Sequence, residues 1–178
     1  MEKVLGRIRP SDAVLAVITS GLGIWLMVEN MGGADDKTRI DSTSWLLVPV
    51  FLLATVPVLF RRINLTAVVL TSIVAMAVHV LAFGWLVRCG AGLPLSLVLA
   101  YSAGRLVRNR AQSLVALVLT AVLQAVVLVR DSAAGLGVLP VTAVLGVAVW
   151  CVGVYVAHRF DAVEPAAAQD TAVVGTRA

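Results

Sequence analysis

The 178-residue sequence predicts an all-α fold, an integral membrane bundle of six transmembrane helices with both termini on the cytoplasmic side. Three observations predict it. The first is composition: 60% of residues are hydrophobic and 13% charged, where a soluble domain has about 45–50% and about 25%. Mean hydropathy is +0.98, more apolar surface than a water-soluble fold of this size can hide. The second is that the apolar residues fall into blocks near the length of about 20 residues that crosses a bilayer core. The third is that basic residues sit between the blocks. That placement also accounts for the +4 charge and the pI of 9.7. A nucleic-acid interface needs a clustered basic face, whereas charge between apolar blocks sets membrane orientation. Leu and Val dominate the blocks without alternation, which excludes a barrel strand pattern. Two cysteines build no disulfide framework.

The first block runs from Asp12 to Val28. Ser11 and Asp12 open it as N-cap residues, since both accept from orphan N–H groups. It is too long, and lacks the small-residue cleavage site, for a signal peptide. The second block is Ser44–Phe60 and the third Leu65–Val87. The fourth, Ala91–Val107, contains Pro94 and ends around Arg105. The fifth is Ser113–Val129 and the sixth Gly135–Ala157. Pro49, Pro57 and Pro140 are tolerable as kinks within a bundle. Residues 29–43 form the one sizeable outer loop. The organisation is thus a cytoplasmic N-terminus over 1–10, a membrane domain over 11–160, and an Ala-rich tail over 161–178, broken by Pro165 and expected to be disordered.

With the N-terminus inside, ten of the fourteen Lys and Arg residues face the cytoplasm and four face out, as the positive-inside rule requires. Arg61, Arg62, Arg105, Arg108 and Arg110 are the cytoplasmic orientation anchors. On the outside, Arg88 stands alone and Arg130 is matched by its neighbour Asp131. Trp25, Trp45 and Trp85 fall at outer span ends, as interfacial anchors do. Trp150 lies deeper and reads as bundle packing.

Few polar groups lie within the spans. His79, Tyr101 and Gln124 are the candidate intramembrane polar contacts. Each reads first as interhelical glue, worth about 0.6 kcal/mol per pair, and second as a ligand contact. No second His, Asp or Glu flanks His79 to make a relay or metal site. Cys89 and Cys151 differ in depth, which argues against a bond between them. Gly21, Gly23, Gly146 and Gly153 permit close helix approach without a GxxxG pair. The sequence holds no GxxxxGK[ST], HExxH or GxSxG pattern. No enzyme activity, cofactor or metal is expected.

Three segments carry a resemblance: Arg9-Pro10-Ser11-Asp12-Ala13, Val56-Pro57-Val58-Leu59-Phe60-Arg61-Arg62, and Leu99-Ala100-Tyr101-Ser102-Ala103-Gly104-Arg105 with the basic turn to Arg110. With them the chain resembles the N-terminal membrane-sensor domain of actinobacterial two-component sensor histidine kinases, over about residues 7–160. The resemblance implies signal perception in the membrane. It does not carry kinase activity. Arg159 and Phe160 follow His158 where a phosphoacceptor would be followed by an acidic residue, and no Gly-rich ATP lid is present.

The expected function is therefore that of a multi-pass sensor in the cell membrane. Its partners are the lipid bilayer and, through helix packing, a kinase or a second copy. No nucleic acid and no soluble substrate is expected. Two alternatives stand beside it. A small permease or transporter subunit would need His79, Tyr101 and Gln124 to converge, and a structural assembly protein would need no ligand at all.

Overall fold

A computed structural model describes the backbone of residues 8–32 and 39–175, and side chains of the last helix as far as 159. Among these residues the chain is all-α, with six α-helices. They are α1 Pro10–Met31, α2 Leu47–Thr55, α3 Leu65–Phe83, α4 Cys89–Leu106, α5 Arg110–Leu128 and α6 Leu139–Gly175. Most of the expected N-terminal segment and the middle of the loop after α1 fall outside the described residues; the tail expected to be disordered over 161–178 instead continues α6 as helical backbone as far as Gly175.

Among the described residues, four helices are long and apolar enough to cross a membrane: α1, α3, α5, and α6 with its preceding turn, Leu136–Arg159. The chain is thus a multi-pass helical membrane protein. Large apolar side chains stand on its outer faces, among them Val17, Leu81 and Val144, all more than two-thirds exposed. In water that surface would aggregate, whereas in lipid it is the matching one.

The two remaining blocks differ from their expected form for physical reasons. The second is an α-helix only to Thr55 and continues as a 3-10 helix over Val56–Phe60. Pro57 lacks the N–H that would continue the α ladder. Ser72 of α3 donates a 2.7 Å hydrogen bond to the Ala54 carbonyl beside this break. Leu47–Phe60, nine α-helical and five 3-10 residues, rises about 24 Å, short of the roughly 30 Å bilayer core. The fourth block, α4, is less apolar than the others because it need not face lipid. Leu95, Leu99, Ala100 and Ala103 are fully buried, and α4 packs against α1, α5 and α6. It is the central helix, and the protein itself solvates it.

Helix ends follow local chemistry. Asn64 caps α3 by accepting from the Ala67 N–H at 3.0 Å, and Asn109 caps α5 through the Gln112 N–H at 3.2 Å. The third block ends at Phe83 and not at Val87, because Gly84 takes a φ of 67°, a conformation open to glycine. Helices α4 and α6 touch backbone to backbone. A Cβ on Gly104 would strike the Trp150 carbonyl, and one on Gly153 would strike the Tyr101 carbonyl.

Candidate functional site: two buried polar networks

The buried charge of the bundle is concentrated in two networks. The first lies where α1 begins. Arg9, not Ser11 or Asp12, is the N-cap of α1. Asp12 sits one turn in and accepts from the Arg9 N–H at 3.0 Å, the carboxylate half of a capping box. Its side chain is fully buried, and Arg61 and Arg62 each approach it at 2.8 Å. Arg61 is itself buried and also donates to Ser102 Oγ of α4 at 2.9 Å. One carboxylate thus joins α1, the turn after α2, and α4. Of the two anchors expected in that turn, Arg61 points into the bundle and Arg62 is three-quarters covered.

The second network centres on Arg88, between α3 and α4. Arg88 is fully buried. Its guanidinium donates to the Gly84 carbonyl at 2.8 Å, to the Arg130 carbonyl at 2.9 Å and to His79 Nδ1 at 3.0 Å. Two of these partners lie in the last turn and C-cap of α3, so the cation sits at the negative end of that helix dipole. Asp131 does the converse. Its Oδ2 accepts from the backbone N–H groups of Arg88 and Cys89, both at 2.6 Å, where α4 begins and the dipole is positive. Its Oδ1 accepts from the amides of Ala133 and Ala134. Burial draws the Arg88 guanidinium down to about 10, with Asp131 opposing the shift, so it remains charged at neutral pH.

The residues around Arg88 are held in turn. Asn30 of α1 bonds both the carbonyl and the N–H of Val87, at 2.9 and 3.2 Å. Leu86 pairs with Arg130 and Ser132 in an isolated parallel bridge. Asp41 accepts from the Trp85 N–H at 3.0 Å and from Arg39 at 2.8 Å, and its own N–H donates to the Trp85 carbonyl. The Trp85 amide, then Arg39, hold the Asp41 carboxyl below its ordinary value. Arg39 also lies 5.5 Å from the Trp85 ring centroid.

The three intramembrane candidates are placed apart. His79 is fully buried between Phe51 and Phe83, with ring centroids 5.6 and 4.9 Å away. Accepting from Arg88 at Nδ1 puts its proton on Nε2, which makes no hydrogen bond among the described residues. Gln124 donates to Ser96 Oγ and to the Thr142 carbonyl, both at 3.2 Å, tying α5 to α4 and α6. Tyr101 is half-buried on α4. No hydrogen bond joins any two of the three among the described residues. Arg105, Arg108 and Arg110 line a cavity at the α4–α5 turn. Cys89 and Cys151 are free thiols. No group of three His, Cys, Asp or Glu able to hold a metal occurs among the described residues.

Sequence reasoning passed over Arg88 and paired Asp131 with its neighbour Arg130. The available signal was an arginine directly behind a long apolar block that already held a histidine. The chain matches no protein-family model, no curated protein and no solved structure.

Proposed function

We propose that the chain is a six-span membrane sensor, with both termini cytoplasmic, that passes a change in helix packing to a partner through α6. The reading extends the resemblance to sensor-kinase membrane domains. Helix α6 is the observation that carries it. Its backbone is helical for 37 residues, Leu139–Gly175. Only 17% of its membrane window is buried, the least of the four long apolar helices. It packs chiefly on α4 and α5. A rim helix with a lipid-facing apolar side is open to a second membrane helix, and its close backbone contact with α4 would couple a shift of α6 to the rest of the bundle. The two polar networks lie elsewhere: Asp12 joins α1 to the α2–α3 turn and α4, and Arg88 joins the ends of α3, α4 and α5. A permease is less well supported, because its polar path needed His79, Tyr101 and Gln124 together, and they are apart.

Photocrosslinking tests the proposal. A photoreactive residue is placed at Val152 or Tyr155, both more than half exposed, in native membranes. An adduct with the membrane domain of a signalling kinase is expected. An adduct with a transport ATPase subunit, or none at either position, overturns it. Topology is read separately in a Cys-free background. A thiol at Arg130 is expected to label from outside intact cells, and one at Arg108 only after permeabilisation. The reverse pattern refutes the orientation.

A further inference from the structure

We infer that the cavity between α4, α5 and α6 binds a phosphate group, carried either by an anionic lipid headgroup or by a free anion. The cavity measures about 690 Å³, within the roughly 300–1,000 Å³ of ligand sites. Its basic lining comes from three helices and a turn. Arg105 lies in the last turn of α4, Arg108 in the turn that follows, Arg110 opens α5, and His158 arrives from α6. No carboxylate lines it among the described residues.

The floor is polar and fixed. Trp150 Nε1 donates to Ser113 Oγ at 2.8 Å, and Ser113 donates to the Ala103 carbonyl at 2.9 Å. The backbone contact at Gly104 holds α4 and α6 together at the base. The positive end of the α5 dipole adds to the field. Arg105 lies one turn beyond Ser102, the partner of Arg61, so the cavity opens at the same end of the bundle as the Asp12 network. Arginines that only orient a protein spread outward over the lipid surface. Here three of the five anchors border one concave space with a histidine from another helix. A basic pocket between membrane helices is suited to an anionic phosphate group. Arg105 and Arg108 also engage other groups, so Arg110 and His158 are the residues to vary.

The test uses the full chain in detergent, with lipid retention by native mass spectrometry and stability by thermal unfolding. The probes are phosphatidylglycerol, phosphatidylcholine and inorganic phosphate. Phosphatidylglycerol is expected to be retained and to stabilise, and phosphatidylcholine is not. Arg110→Gln is expected to weaken retention about fivefold, Arg110→Lys to keep most of it, and Arg110→Gln with His158→Gln to abolish it. Arg130→Gln, at the other end, is expected to change nothing. Stabilisation by inorganic phosphate that Arg110→Gln removes supports the site and assigns it to a free anion, whereas stabilisation by the lipid alone assigns it to a headgroup. No stabilisation by either probe, or equal losses in Arg110→Gln and Arg130→Gln, overturns the inference.

Discussion

Arg88 Nε donates a 3.0 Å hydrogen bond to His79 Nδ1, nine residues earlier in the chain and across the Gly84 turn. The bond makes His79 an acceptor for a buried cation and removes the need for a second titratable partner.

The two ends of that bond are unequal. Arg88 keeps the Gly84 and Arg130 carbonyls when His79 is replaced, whereas removing Arg88 strands the Gly84 carbonyl and His79 together and leaves the Arg130 carbonyl only the Leu86 N–H. His79→Ala is expected to cost about 2–5 kcal/mol, chiefly as a core cavity. Arg88→Ala is expected to cost more, because each buried group left unpaired adds about 1–3 kcal/mol. Denaturation in mixed micelles measures both. A smaller loss for Arg88→Ala would show that the guanidinium does not hold α3 to α4.

Asp12 answers two arginines, one fully enclosed. Asp12→Asn leaves Arg61 buried without a counter-charge and is expected to cost about 3–5 kcal/mol. Arg62→Gln is expected to cost under about 1 kcal/mol, since that side chain reaches the bundle surface. A double-mutant cycle of Asp12→Asn with Arg61→Gln should show strong coupling. Additive losses would mean that the pair does not act as a unit.

The α4–α6 contact depends on the absence of two Cβ atoms. Gly104→Ala and Gly153→Ala each place a carbon against backbone, which cannot rotate away, and are expected to destabilise by about 1–3 kcal/mol. Gly21 has nothing within 4 Å of its Cβ position, so Gly21→Ala should be neutral or stabilise by up to about 1 kcal/mol. Parallel thermal melts of the three variants test the contrast.

Asp41 gives the loop between α1 and α2 a pH dependence of definite sign. Its carboxyl lies below the ordinary 3.8 because the Trp85 amide and Arg39 favour the ionised form. Such a group stabilises the docked loop fully above that ordinary value, and the contribution is lost as pH falls through the lower, folded value. Cys labelling of the loop, expressed relative to a free thiol at the same pH, should stay constant above about pH 5 and rise on further acidification. Asp41→Asn should label as fast at neutral pH as the wild type does in acid. A transition on the alkaline side would contradict the assignment.

The amount of this legible from sequence tracks the range of the interactions. Apolar blocks are local: the helix at 110–128 starts and stops close to where composition places it, and the helix at 65–83 starts there. The end of the third block was missed because Gly84 turns the chain while Leu86 and Val87 remain apolar. The second block reads as one kinked helix in sequence, because Pro57 signals a break in the α ladder without saying that the chain continues as a 3-10 helix. Trp150 was read correctly as packing, but its bond to Ser113 joins positions 37 apart, and no local pattern announces it.

Composition and the spacing of charge determined that this chain is helical and lives in a membrane, because in a bilayer each segment must satisfy its own backbone and lipid rewards apolar length alone. What each buried polar residue does was decided only by tertiary structure. A lone arginine, a histidine in an apolar helix and an aspartate beside another arginine look like three unrelated features in sequence. They become one network because a buried charge is stable only where helix ends bring it its partners, and which ends meet is set by packing across the whole bundle.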